Sequence, residues 1–168
     1  RDAIFDAMRR KETYASSGPR IALRFFGGWG FDDGLCDDPH LVARGYAEGV
    51  PMGGRLGASA ADAPSFVVHA LADEGAPGQG GVGLAKIQII KGWIDAAGLT
   101  HERVVDVIDA GAGAVNRESC EPAEGAPALC RVWRDPDFDA SRRAFYYARV
   151  LQAETCRWST LQCKALPE

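Results

Sequence analysis

Cysteine carries the clearest chemistry in this sequence. The five are Cys36, Cys120, Cys130, Cys156 and Cys163. The last four fall as two locally close pairs in turn-rich segments. Pairing Cys120 with Cys130, and Cys156 with Cys163, would close two short loops and leave Cys36 free or bonded to a segment outside the chain. Disulfides point to an oxidising compartment, a periplasm or the exterior. The competing reading is five reduced thiols in the cytosol. No Cys-x-x-Cys spacing occurs, which argues against a zinc ribbon.

Other residue patterns resemble functional motifs and fail on context. Gly78-x-Gly80-x-x-Gly83 matches the dinucleotide fingerprint as a string. That chemistry needs a helix N-terminus directly after the glycines to meet the pyrophosphate. Here a strand pattern follows, AKIQIIKGW, so the run reads as a flexible hairpin loop. Asp135-x-Asp137-x-Asp139 starts like a calcium loop, with hard oxygens at alternate positions. Ala140 stands where the glycine belongs and Tyr146 where the closing glutamate belongs. A solvated turn with aspartate caps is the better reading, with a weak ion site as the minor alternative. The Asp32, Asp33, Asp37 and Asp38 cluster reads the same way. His40, His69 and His101 lack metal-binding spacing, although His101 could face His69 across neighbouring strands. No Gly-x-Ser-x-Gly or Cys–His arrangement suggests a nucleophile. Trp29, Trp93, Trp133 and Trp158 could line a sugar-binding face. Trp133 alternates within a strand and reads as core. Trp158, with Arg157 beside it, is the better candidate for an exposed role, against the commoner fate of packing.

The elements that would position these residues are mostly strands. Arg1–Lys11 carries Ile4, Phe5 and Met8 on one helical face, with Arg9, Arg10 and Lys11 at its C-terminal end, where cations suit the dipole. Gly18-Pro19 breaks the pattern. Ile21, Leu23 and Phe25 then alternate as a strand that ends at Gly27-Gly28. Phe31–His40 reads as an acidic loop, Leu41–Ala47 as a short strand and Leu56–Pro64 as loop. Ser65–Ala72 is a strong strand pattern. Leu84–Ile94 and Thr100–Ile108 read as an antiparallel hairpin. Leu129–Arg134 and Ala144–Gln152 are further strands, and Glu154–Glu168 shows little periodicity. One helix followed by six or seven strands predicts a mainly β chain, an antiparallel β-sandwich with one N-terminal helix, and excludes a doubly wound fold.

Composition narrows the function. The 168 residues suffice for one domain with a real core, and 46% hydrophobic content argues against general disorder. A net charge of −4 argues against a nucleic-acid partner. No apolar run approaches the ~20 residues of a membrane span. The sequence opens on Arg1 within a helical pattern and reads as a piece of a longer protein.

The stretch AIFDAMRRKETYASSGPRIALRFFGGW, Ala3–Trp29, resembles the C-terminal region of a bacterial family of unknown function related to the PHP (polymerase and histidinol phosphatase) metal-dependent hydrolases. GYAEGVPMGG at Gly45–Gly54, IQIIKGWID at Ile87–Asp95, HERVVDV at His101–Val107 and the run Asp135–Cys163 extend the resemblance over nearly the whole chain.

The resemblance implies that residues 1–20 are the last helix and junction of an N-terminal barrel domain, and that 21–168 form the β-sandwich. It implies a divalent metal in that barrel and no cofactor in this chain, because the barrel's ligand motifs have no counterpart here. The leading expectation is therefore an accessory domain that is not itself catalytic. Tyr14, Ser16, Ser17 and Arg20 are candidates for walling one side of the barrel's cleft, with Arg157 and Trp158 as further substrate-side candidates. Arg20 could pair with a phosphate or carboxylate, and the blander reading, a structural ion pair at the domain boundary, is the favoured one. The alternative function is a ligand- or carbohydrate-binding module, and a freestanding enzyme ranks last. Expected partners are the barrel domain and, through Ile4, Phe5 and Met8, a second copy of the chain. A helix this short is marginal alone in water, so that face calls for a cover.

Overall fold

The structure, a computed structural model, describes residues 1–57, 62–76 and 79–166. Helix α1 (Asp2–Arg10) is followed by strand β1 (Ala22–Gly28), a 3₁₀ helix (Asp33–Asp37), α2 (Leu41–Glu48), and strands β2 (Gly49–Pro51) and β3 (Ser65–Leu71). A two-residue ribbon, β4 (Gly75–Ala76) with β5 (Gln79–Gly80), precedes the long hairpin β6 (Leu84–Ile94) and β7 (Thr100–Asp109). Strands β8 (Ala128–Arg134) and β9 (Ala144–Gln152) and helix α3 (Trp158–Lys164) complete the order.

The strands make two antiparallel sheets, ordered β2-β1-β3-β8 and β7-β6-β9. Period-two alternation gives each strand an inner and an outer row. Leu23 and Phe25 of β1 and Phe66, Val68 and Ala70 of β3 meet Leu84, Ile87 and Ile89 of β6 and Val107 of β7. That layer is the sandwich core. The other face of the four-stranded sheet is also covered. Phe26 and Val67 pack there against Phe31, Leu35 of the 3₁₀ helix and Leu41 of α2. The expected β-sandwich is thus the observed fold, with one sheet covered on both faces.

Local departures from the sequence reading follow from this second layer. Leu41–Ala47 is not a strand but most of α2. Leu41 and Gly45, four apart, face the sheet, and a Cβ at Gly45 would lie 2.6 Å from the Phe26 ring, so the glycine permits the close approach. Arg44 also reaches Glu48 one turn on, at 2.8 Å. Over seven residues strand and helix periods fit equally well, and the sheet face decides. The acidic loop contains the 3₁₀ helix, capped by the Asp32 side chain accepting from the Gly34 N–H at 3.0 Å. The C-terminal segment contains α3, three of whose positions (Trp158, Leu161 and Lys164) fall at a three-residue spacing. Part of the expected loop Leu56–Pro64, residues 58–61, lies outside the described residues, as does Gly78 of the glycine motif.

Two disulfides form, in a different pairing from the expected one. Cys36 bonds Cys130 across 94 residues, and Cys120 bonds Cys156 across 36, with Cα atoms 5.7 and 5.5 Å apart. Cys163, not Cys36, is free, and it is exposed. Chain proximity misleads because Cys130 stands in β8, on the row with Val132 that faces the 3₁₀ helix holding Cys36. Cys120 is drawn to Cys156 because its loop pairs with that segment, the Ala123 N–H donating to the Glu154 carbonyl at 3.1 Å.

Helix α1 buries none of its residues. Its C-terminal turn is nonetheless held. The Lys11 N–H donates to the Met8 carbonyl, and the Glu12 N–H to that of Ala7. A Cβ at Gly53 would lie 2.4 Å from the Arg10 and Lys11 carbonyls, and the Tyr46 hydroxyl donates to Glu12. Ile4, Phe5 and Met8 remain 67, 56 and 56% exposed.

Candidate functional site

Along the inner row of β6 the sequence runs Ile87, Ile89, Lys91, Trp93. The first two are core. At Lys91 the interior changes from aliphatic to polar and aromatic, and a cavity of about 170 Å³ opens. Lys91 and Trp93 supply one strand's contribution. Arg103 of β7 stands opposite Lys91, and Tyr146 and Ala144 of β9 stand opposite Lys91 and Trp93. The β8–β9 connection closes the remaining side with Asp137, Phe138, Asp139 and Arg142.

A buried ion pair underlies the cavity. Lys91 is 7% and Asp135 2% exposed. Lys91 Nζ donates to Asp135 Oδ2 at 2.5 Å and to the Asp137 carbonyl at 2.8 Å. The Tyr146 hydroxyl donates to the same Oδ2 at 2.6 Å, and the Asp137 N–H donates to Oδ1 at 3.0 Å. A buried charge is tolerable only when paired and hydrogen-bonded, and both groups here are. Burial, then the bond to Asp135, push the Tyr146 phenol upward, so it stays a donor. Lys91 Nζ also lies 5.6 Å from the Trp93 ring centroid and 5.9 Å from that of Tyr146, within cation–π range.

The walls are braced from behind. Trp93 stacks on His101 with centroids 5.2 Å apart, and His101 Nε2 meets Asp95 Oδ2 at 2.7 Å. The contact with His101, aided by the Leu99 and Ala97 N–H groups, holds the Asp95 carboxyl below its usual range. Phe138 packs edge-on against Trp29 at 5.8 Å. Tyr146 lies 4.3 Å from Phe66, which ties the cavity to the core. At the rim Arg103 pairs with Asp137, and Arg142 with Asp139 at 2.8 Å. The arrangement supplies a flat aromatic surface and several fixed donors and acceptors. The Tyr146 hydroxyl donates to Asp135, and Lys91 donates to Asp135 and to the Asp137 carbonyl.

Of the residues weighed from sequence, Trp93 and the Asp137 and Asp139 of the calcium-like run line this cavity, and the substrate-side candidates Tyr14, Ser16, Ser17, Arg20, Arg157 and Trp158 do not. Tyr14, Ser16, Ser17 and Arg20 lie exposed between α1 and β1. The Arg20 N–H donates to Asp73 Oδ2 at 2.7 Å, and its Nε lies 3.7 Å from the same oxygen. Arg157 and Trp158 are exposed at the start of α3. No hydrogen bond or ion pair among the described residues links the two groups. His69 and His101 do not face each other: His69 stands opposite Arg24 and Cys130 in the four-stranded sheet, and His101 opposite Trp93 in the other. The Asp32 and Asp38 carboxylates are gathered by Arg44, at 3.4 and 3.1 Å. Among the described residues no group of three or more His, Cys, Asp or Glu side chains is placed to hold a metal ion, and no helix is long and apolar enough to cross a membrane.

A family model described as a protein of unknown function, DUF3604, matches residues 1–168. The chain belongs to the DUF3604 family. No curated protein and no solved structure matches it. For this DUF3604 chain the site therefore rests on its own geometry. The Asp135–Asp139 run, which reads from sequence as a solvated turn with aspartate caps, is a turn in which Asp135 accepts from the Asp137 N–H and Asp139 from the Ser141 N–H, but Asp135 is buried and Asp137 and Asp139 line the cavity. One signal was available: Lys91 occupies an inner position in an otherwise apolar alternation, which requires a buried acid somewhere in the fold. Which acid it meets, 44 residues away, only the fold decides.

Proposed function

We propose that this chain is an accessory β-sandwich domain of a PHP-like metal-dependent hydrolase, docked through α1 on the barrel domain that carries the metals. The observation that carries this reading is the apolar face of α1. Its C-terminal turn is fixed to Gly53 and Tyr46, yet Ile4, Phe5 and Met8 face water. Covering three such side chains contributes on the order of 1.5–3 kcal/mol each, enough to drive docking. In this reading the divalent metal belongs to the barrel. Tyr14, Ser16 and Ser17, exposed directly after α1, would wall its cleft. The two disulfides favour a periplasmic or secreted location.

The test is direct. The coding sequence before Arg1 should specify a barrel with His and Asp metal motifs. When that barrel is produced separately, it should bind this chain in sedimentation, and Ile4→Glu with Phe5→Glu should abolish the complex. A preceding sequence without such a barrel, or a complex indifferent to both substitutions, would refute the reading. A second reading, a ligand-binding module, is favoured by the aromatic cavity at Lys91 and Trp93.

A further inference from the structure

We propose that the cavity at Lys91 binds one neutral pyranose ring, its apolar face on Trp93 and its hydroxyls on Lys91 and the rim arginines. This inference rests on the ligand-binding reading and is independent of how α1 docks.

Size comes first. At about 170 Å³ the cavity falls below the roughly 300–1,000 Å³ of sites for drug-sized ligands. It has room for on the order of ten water-sized volumes, which suits a single small ring. Preorganisation comes second. Stacking on His101, itself held by Asp95, fixes the indole plane of Trp93, so little side-chain freedom is lost on binding.

Charge selects the class. The three cations Lys91, Arg103 and Arg142 are matched one for one by Asp135, Asp137 and Asp139. A ligand with net charge would leave one of these pairs unbalanced, whereas a neutral polyol would not. Open hydrogen-bonding capacity completes the argument. An ammonium has three N–H donors, and Lys91 uses one on Asp135 and one on the Asp137 carbonyl. Among the described residues the third has no oxygen or nitrogen acceptor, only the Trp93 and Tyr146 rings within 5.6 and 5.9 Å, and Lys91 lines the cavity. Arg103 and Arg142 carry five donors each, of which the carboxylates take a part. A ring with an apolar C–H face and a rim of hydroxyls meets all of these requirements.

The test is a titration of the ¹⁵N-labelled chain with glucose, galactose, mannose and N-acetylglucosamine, followed by amide shifts. Glucuronate, glucose 6-phosphate and glycine betaine serve as charged probes. At least one neutral sugar should move the amides of Lys91, Trp93, Asp137 and Tyr146, with a Kd on the order of 1 mM. Trp93→Ala should weaken it by about tenfold or more. Should that variant not fold, Arg103→Met on the exposed rim should weaken it several-fold without changing the fold. If only a charged probe moves these amides, the sugar assignment falls and the ligand-binding reading stands. If no probe moves them, both fall.

Discussion

Lys91 stabilises the molecule only as half of a pair. Lys91→Met would leave the Asp135 carboxylate buried with only the Tyr146 hydroxyl and the Asp137 N–H as donors. Removing one partner of a buried pair costs about 3–5 kcal/mol, and removing both costs far less than the sum. Urea denaturation should therefore show Lys91→Met as strongly destabilised, and Lys91→Met with Asp135→Asn as recovering at least about 1 kcal/mol relative to additivity. Additive losses would mean that the two side chains do not interact. His69 governs a different response. Burial first, then the Arg24 charge opposite, hold its pKa below the ordinary 6.5. The unfolded chain then takes up the proton first as pH falls. The His69 contribution is fully present above pH 6.5 and is lost as pH drops through the lower folded value. His69→Gln should flatten the stability profile below pH 6.5 and leave its slope above that unchanged. An unaltered slope below pH 6.5 would show that His69 takes no part in it.

At the scale of elements, the disulfides hold irregular segments to regular ones. Cys36–Cys130 fastens the 3₁₀ helix to β8, and Cys120–Cys156 fastens the long β7–β8 connection to the segment before α3. By loop-closure entropy, bonds spanning 94 and 36 residues contribute up to about 4.5 and 4 kcal/mol respectively. Peptide mapping without reduction should recover these two linkages. Cys36→Ala with Cys130→Ala should lower the unfolding free energy by a few kcal/mol, whereas Cys163→Ser should leave it within about 0.5 kcal/mol. Recovery of a Cys120–Cys130 linkage would overturn the arrangement of the β7–β8 connection.

For the molecule as a whole, the core and the exposed apolar face of α1 are separate surfaces. The core lies between the two sheets, with a second layer under α2, and α1 contributes no buried residue to either. Ile4→Asp with Phe5→Asp should therefore leave the stability of the isolated chain within about 0.5 kcal/mol per site, although these are large apolar side chains. Calorimetry checks this. A marked loss would mean that α1 belongs to this domain's own core and would remove the basis for docking it elsewhere. The outer face of the three-stranded sheet is a second exposed apolar area, where Phe145 and Tyr147 stack at 6.3 Å and the Phe145 ring covers Gly92.

The sequence by itself determined the parts whose signals are local. The β6–β7 hairpin is legible because two long β-rich runs flank a short turn. So are the inner rows of β1 and β3, where alternation is uninterrupted. The amphipathic face of α1 is visible because helical spacing needs no partner to be recognised. Tertiary structure alone decided the rest. Leu41–Glu48 became a helix because the outer face of the first sheet needed a cover that Gly45 lets come close. Cys130 chose Cys36 because a strand fixes the side to which its sulfur points. Lys91 met Asp135 because two strand ends and a connection converge there. Each of these depends on contacts between residues tens of positions apart, and loop-closure entropy rises so slowly with separation that proximity along the chain is a weak guide to which partners meet.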